Sequence, residues 1–283
     1  MLNTGNEKPQ SDMPEKIFYI NLDRRPDRDQ NVQRLLKQFA IQDISERISA
    51  TDGSALDLNQ IPQNIITESG ITDAKDKNKR IGIPLTPGGI GCALSHRSTW
   101  LRIIDQNLES ALILEDDIRI DKDFHPKLHQ YMGLAKSLKY DILFIGYHPA
   151  SIKYISPQSV NDVFVRSSRT YGLFGYVVSR KGAEKLLKIF PIDLQIDTAI
   201  SNAIKPHDLN VYLVKPEYRI VTSDPSEDAK EFGTDIQTRD KCEPFSTVTY
   251  ISTLDSPDAF FYHMIWFLTA IVCLYLIGMF TIM

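Results

Sequence analysis

Three consecutive carboxylates, Glu115-Asp116-Asp117, follow the apolar run Ala111-Leu-Ile-Leu114. If the backbone stays extended past that run, side-chain alternation puts Glu115 and Asp117 on one face and Asp116 on the other. Adjacent carboxylates repel one another unless a cation or basic groups compensate them. Hard oxygen donors suit Mg²⁺ or Mn²⁺, which are held by one or two carboxylates together with phosphate oxygens. Glu115 and Asp117 are therefore the expected metal ligands, with an exposed acidic turn as the plain alternative. The location favours a site, because open α/β sheets bind ligands beyond the carboxyl ends of their strands.

A second group is Asn21-Leu-Asp-Arg-Arg-Pro-Asp-Arg28, between an apolar run and a helical pattern. Arg24, Arg25 and Arg28 have the chemistry to clamp a diphosphate through charge-assisted forks, and the helix N-terminus would add its dipole. Arginines beside aspartates are also ordinary solvated surface. No GxxxxGK[ST] sequence occurs, so a P-loop is absent. In Pro87-Gly-Gly-Ile-Gly-Cys-Ala-Leu-Ser-His96, Gly88 and Gly91 stand at the mouth of a helix, where a missing side chain lets a ligand approach the backbone. His96 falls one turn before Trp100 on the same flank, suited equally to a hydrogen-bonded core position and to a site. Asp193 and Asp197 are four apart and share a face if helical. One would serve as base toward an acceptor hydroxyl, N-capping being the simpler role for Asp193. No Ser–His–Asp spacing stands out, since Ser95 beside His96 on a helix points elsewhere.

These groups need elements to hold them. The run Ile17-Phe-Tyr-Ile20 predicts a buried strand, and Pro26 and Asp27 open a helix carrying Val32, Leu35, Leu36 and Phe39. Residues 52–88, rich in Gly, Pro, Asn, Asp and Lys, predict a long irregular segment. A helix over 89–106 has apolar positions on two flanks, which predicts burial on both sides. Strands are expected at 111–114, 141–145 and 211–214, with a helix over 126–138. An aromatic-rich strand over 171–178 leads through Ser179 as N-cap into a helix ending near Phe190. Such alternation predicts an α/β fold, a mainly parallel sheet flanked by helices.

The 283 residues are 42% apolar and 24% charged, which excludes a mostly disordered chain. A net charge of -4 argues against a basic, nucleic-acid-coating protein, so no nucleic-acid partner is expected. Cys92, Cys242 and Cys273 are too few and too scattered for a disulfide framework or a CxxC zinc site. Residues 259–283 contain no Asp, Glu, Lys or Arg. As a helix that stretch reaches ~37 Å, more than the ~30 Å hydrocarbon core, which predicts one C-terminal transmembrane helix. The polar start carries no apolar signal region. With Arg239 and Lys241 upstream of the span, the expectation is a single-pass tail anchor with the domain on the cytosolic side. The expected organisation is a disordered segment over 1–14, a domain over 15–225, a linker over 226–258 and the membrane anchor over 259–283.

Taken together, the motifs resemble glycosyltransferase family 25, which includes lipopolysaccharide-modifying and collagen hydroxylysine galactosyltransferases. The match runs in order through Ile20-Asn21-Leu22 with the three arginines, Ala50-Thr-Asp52-Gly53, Gly91-Cys92-Ala-Leu-Ser95-His96 with Trp100, Ile113-Leu-Glu-Asp-Asp117, Tyr140-Asp-Ile-Leu143, Gly175-Tyr176-Val-Val-Ser179 with Gly182-Ala183, and Pro191-Ile-Asp193. Seven collinear motifs are far more specific than one. The resemblance implies a GT-A-like fold, a UDP-sugar donor of galactose or glucose, dependence on Mn²⁺ (or Mg²⁺), inversion at the anomeric carbon, and a glycan, glycolipid or protein acceptor. Glu115, Asp116 and Asp117 match the family's DxD-like acidic motif, and Glu115 and Asp117 are the residues expected to hold the metal. Asn21, Arg24, Arg25, Arg28, Asp52, Gly53, Gly88, Gly91 and Asp116 would form the donor site, leaving His96, Asp193 and Asp197 for catalysis. The chain departs from the family at Gly89, where members often carry glutamate. A membrane-anchored binding or scaffold protein that kept this fold without turnover is the alternative.

Overall fold

Strand β1 (Lys16–Asn21) is buried at every position after Lys16, and a strand buried on both faces has to lie inside a covered sheet. β2 (Ser45–Ser49) and β3 (Ser110–Leu114) pair on either side of it, both parallel. Beyond β3 come β8 (Gly175–Ser179), β5 (Ile142–Gly146), β9 (Val211–Val214), β7 (Phe164–Ser167) and β6 (Ile155–Ser159), giving the order β2-β1-β3-β8-β5-β9-β7-β6. β8 is antiparallel to both its neighbours and β7 to both of its own, so the other six of the eight strands run one way. The sheet is mixed, with a mostly parallel sense. β4 (Arg119–Ile120) and β10 (Val221–Thr222) form a separate antiparallel pair. The computed structural model describes residues 13–76 and 84–223. The expected linker and membrane helix, and most of the expected N-terminal segment, lie outside the described residues. Among the described residues no helix is long and apolar enough to cross a membrane.

Helices α1 (Pro26–Gln38), α2 (Glu68–Lys75), α3 (Pro87–Asp105), α4 (Phe124–Ala135), α5 (Arg180–Leu187) and α6 (Ile196–Ala203) flank the sheet. α1 begins at Pro26 as read from sequence and buries Val32, Leu35 and Leu36. α3 touches β1, β2 and β3 as well as α5 and α6, so it is buried on both flanks as its pattern predicts. Trp100 and Ile103 are fully buried, and Cys92, Leu94 and Ile104 are half-buried. Each fully buried large apolar side chain contributes roughly 1.5–3 kcal/mol of transfer free energy.

Two expectations need correction. The strand expected from Tyr171 begins only at Gly175, because Gly172 adopts φ 79°, a left-handed conformation that breaks the extended ladder. The segment 52–88 is not wholly irregular: it contains α2, N-capped by Thr67, whose hydroxyl accepts from the Gly70 N–H at 3.1 Å. Only Gly70 and Ala74 of α2 are buried, so no apolar stripe announces it.

Ser179 caps α5 as its sequence position predicts, its hydroxyl accepting from the Gly182 N–H at 3.0 Å. Loss of such a cap costs about 1 kcal/mol, which in a domain of about 200 residues lowers the midpoint of thermal denaturation by roughly 2–4 °C. Ser179→Ala should show that drop by calorimetry and Ser179→Thr should retain most of the stability; equal loss in both would remove the cap as the cause.

Candidate active site at the end of strand β3

Past Leu114 the chain leaves the sheet, yet the alternation of side chains continues. The β1–β3 register pairs Tyr19 with Leu114, which sets Asn21 beside Asp116 two residues on. Asn21 Nδ2 donates to Asp116 Oδ2 at 2.8 Å, and Arg28 Nη1 from α1 donates to Asp116 Oδ1 at 2.8 Å. All three residues are buried. Asn21 Oδ1 also accepts from Arg47 Nη2 at 2.6 Å, so its amide is committed to the frame. Glu115 and Asp117 turn the other way, with Arg28 Nη1 3.6 Å from Asp117 Oδ2. The backbone N–H of Glu115 donates to the Phe174 carbonyl at 3.3 Å and ties the acidic turn to the segment before β8.

One cavity brings together Glu115, Asp116 and Asp117, Arg24 and Arg28 from around the start of α1, and Asp52 with Gly53 from the loop after β2. Gly88, Cys92 and His96 of α3 line it as well. The loop and helix meet at glycines: a Cβ on Gly53 would run into the Pro87 carbonyl, and one on Gly91 into the backbone of Thr51 and Gly53. Ser95 clips them together, accepting from the Thr51 N–H at 2.9 Å and donating to the Gly91 carbonyl at 2.7 Å. Gly91 is thus a packing residue beneath the cavity. Arg24 Nε meets Asp52 Oδ2 at 2.6 Å, and that hydrogen bond, with help from Ser54, holds the Asp52 carboxyl down to about 2.

The remaining expected residues fall elsewhere. Asn21 braces Asp116 and does not line the cavity, and Arg25 also lies off it, pairing with Asp27 at 2.7 Å. Asp193 is exposed and precedes α6, so it shares no helical face with Asp197; Gln195 occupies the N-cap position that Asp193 was expected to fill. Asp197 sits in the first turn of α6. Its carboxylate accepts from the Thr198 N–H at 2.6 Å and the Gly172 N–H at 3.2 Å. Burial raises its pKa, and the charge of Glu115 adds to the rise. The room that a side chain at Gly89 would need is filled by the Gln195 amide. Tyr176 lies in the core, whereas Tyr171 is half-buried with its ring 5.9 Å from that of Tyr154.

Electrostatics separate the three carboxylates. Burial, and then the neighbouring Glu115, push the Asp117 carboxyl up to about 7. Burial also raises Asp116, opposed by Arg28 and Asn21. An excess of negative charge over the Arg28 guanidinium is what a hard divalent cation would relieve, and the oxygens of Glu115 and Asp117 fit Mg²⁺ or Mn²⁺. A second donor set, Cys92, His96 and Glu115, has ligand atoms within 4.8 Å of one another. There burial and the surrounding carboxylates push the Cys92 thiol well up, which keeps it protonated and a poor ligand. Cys92 is a cavity residue outside the expected site set, although its i, i+4 spacing to His96 marks it.

Residues 14–200 match glycosyltransferase family 25 (LPS biosynthesis protein). The chain belongs to that family. Procollagen galactosyltransferase 1 of Danio rerio is 33% identical over 207 residues, covering 70% of this chain and 33% of that protein. Procollagen galactosyltransferase 2 of Homo sapiens is 35% identical over 190 residues, covering 63% and 29%. The chain therefore spans about a third of the length of these curated relatives. Among solved structures, A197 from STIV aligns at a TM-score of 0.35 and 12% identity, over 74% of this chain and 95% of that one, too loosely to carry any argument. The family 25 match contains every residue lining the cavity, and Asp197 as well.

The Asp117 shift has a consequence for stability. A carboxyl raised from 3.8 to about 7 keeps its proton in the folded chain over a range where the unfolded chain has lost it. That contribution is complete below about pH 4 and disappears as the pH rises through about 7. Without added metal, the melting temperature of the wild type should fall relative to Asp117→Asn between about pH 5 and pH 8. Parallel curves would mean that Asp117 titrates as an ordinary carboxylate.

Proposed function

We propose that the chain is a metal-dependent, inverting glycosyltransferase that moves galactose or glucose from a UDP-sugar to a hydroxyl of a glycan, glycolipid or protein acceptor. The observation that carries this reading is the pair Glu115 and Asp117, crowded into a cavity beside Arg28 with too little positive charge to balance them. Membership of family 25 and the similarity to galactosyltransferases support the reaction class and the sugar. A mixed, mostly parallel sheet with the acidic turn at a strand end supports a GT-A-like arrangement of the domain over 15–225. The apolar stretch 259–283, without a charged residue, is long enough to cross a membrane as a helix and supports membrane attachment.

Glu115 and Asp117 would hold the cation, while Asp116, bound to Arg28 and Asn21, keeps the turn in place. A bound Mn²⁺ or Mg²⁺ supplies neutralisation of the charge that develops on the departing diphosphate. Arg24, set by Asp52, and the backbone at Gly53 and Gly88 would border the nucleotide. Asp197 is the better candidate for the base, because burial raises its pKa and makes it a stronger base than an ordinary carboxylate. In the transfer the acceptor oxygen bonds to the anomeric carbon and gives its proton to Asp197. The bond from that carbon to the phosphate oxygen breaks, and its electron pair leaves with UDP. Exposed Asp193 ranks behind it.

The test is UDP release from UDP-galactose and UDP-glucose, with and without Mn²⁺. Release should require the metal, and Asp117→Asn, checked for an intact fold, should lower it at least ~10²-fold. Absence of turnover together with retained UDP-sugar binding would favour a silent binding protein, and near-normal turnover by the variant would reject the metal role.

A further inference from the structure

Behind Glu115 runs a chain of buried polar groups. Trp100 Nε1 lies 2.9 Å from Tyr176 Oη, Tyr176 Oη lies 2.9 Å from His96 Nδ1, and His96 Nε2 lies 3.2 Å from Glu115 Oε1. Trp100 and Tyr176 are fully buried and His96 is 1% exposed. The direction of the chain follows from its first member. An indole N–H only donates, so the Tyr176 oxygen accepts from Trp100. The Tyr176 hydroxyl hydrogen then has His96 Nδ1 as its acceptor. With Nδ1 accepting, the imidazole proton resides on Nε2 and points at Glu115. The opposite tautomer would aim two N–H groups at one phenol oxygen and leave a buried hydroxyl hydrogen with no acceptor, an unmade bond that a buried site tolerates poorly.

We propose that this directional relay makes His96 a positioning residue, whose Nε2–H fixes the Glu115 carboxylate in the orientation that receives the divalent cation. The proposal rests on the reading of the cavity as a metal-dependent donor site. Two other roles for His96 are excluded by the same geometry. Its Nδ1 lone pair is engaged by Tyr176 and its Nε2 already carries a proton, so it has no site for an acceptor's proton. Nor does it offer a lone pair to a metal, so the Cys92–His96–Glu115 trio presents no nitrogen ligand. The cavity is thereby biased toward oxygen-seeking cations and away from zinc-like ones. Hydrogen-bonded partners behind a metal ligand typically set about 10–100-fold of affinity, which is the scale expected here.

The test uses the full chain labelled with ¹⁵N-histidine. The signals of His96, one of six histidines, are assigned by their loss in His96→Gln. Nε2 should carry the proton and Nδ1 should show the shift of an acceptor nitrogen, altered in Tyr176→Phe. Mn²⁺ affinity, read by calorimetry, should fall roughly tenfold or more in His96→Leu. His96→Gln, which keeps an N–H near the Nε2 position, should recover most of that loss. A wild-type spectrum with the proton on Nδ1 would overturn the relay, and so would His96→Leu binding Mn²⁺ like the wild type. The wild-type spectrum decides the direction of the relay even if a variant fails to fold. A wild-type chain that shows the expected tautomer but binds no Mn²⁺ would instead overturn the donor-site reading and the positioning role with it.

Discussion

The arrangement depends on the buried ion pair between Arg28 of α1 and Asp116 of the acidic turn. An unpaired charge at that depth would be destabilising by about 3–5 kcal/mol, so the two residues hold the start of α1 and the end of β3 in one register. Asn21 completes the junction by reaching Asp116 across the parallel β1–β3 pair. The result is a division of labour among three adjacent carboxylates. All three border the cavity, but Asp116 is engaged by Arg28 and Asn21, which leaves Glu115 and Asp117 as the carboxylates open to a cation. Burial, and after it the charge of Glu115, raises the Asp117 carboxyl to about 7, an electrostatic demand that a divalent ion would meet.

The rest of the cavity is built by close backbone approach. α3 advances on the loop after β2 because Gly53 and Gly91 have no side chains to keep them apart, and Ser95 bonds to both segments. That approach carries Cys92 and His96 to the cavity lining while Trp100, one turn on, stays in the core and bonds to Tyr176. A single helix therefore supplies a cavity residue and the buried donor that orients it. Its burial on both flanks is the structural cost of this double duty.

Much of the frame is legible in the sequence. β1, β3 and β9 are wholly or almost wholly buried and show as unbroken apolar runs, and α1 announces itself through Pro26 and its apolar spacing. What escaped has identifiable causes. α2 buries only Gly70 and Ala74, so no periodicity reveals it, and β2 buries only Ile48. Arg25 and Arg28 look alike in sequence, yet the helix turns only Arg28 inward to a carboxylate 88 residues further along the chain. Asp193 and Asp197 are four apart, but α6 begins between them, which spacing alone cannot reveal. The role of His96 depends on Tyr176, 80 residues away in the chain, and no local pattern records that contact.

The central claim is most directly tested by anomalous diffraction from crystals of the chain grown with Mn²⁺ and UDP. The account predicts a manganese peak coordinated by Glu115 and Asp117, with Asp116 still held by Arg28. A peak bound through Cys92 and His96, or a nucleotide seated in the cavity with no metal beside those two carboxylates, would contradict it.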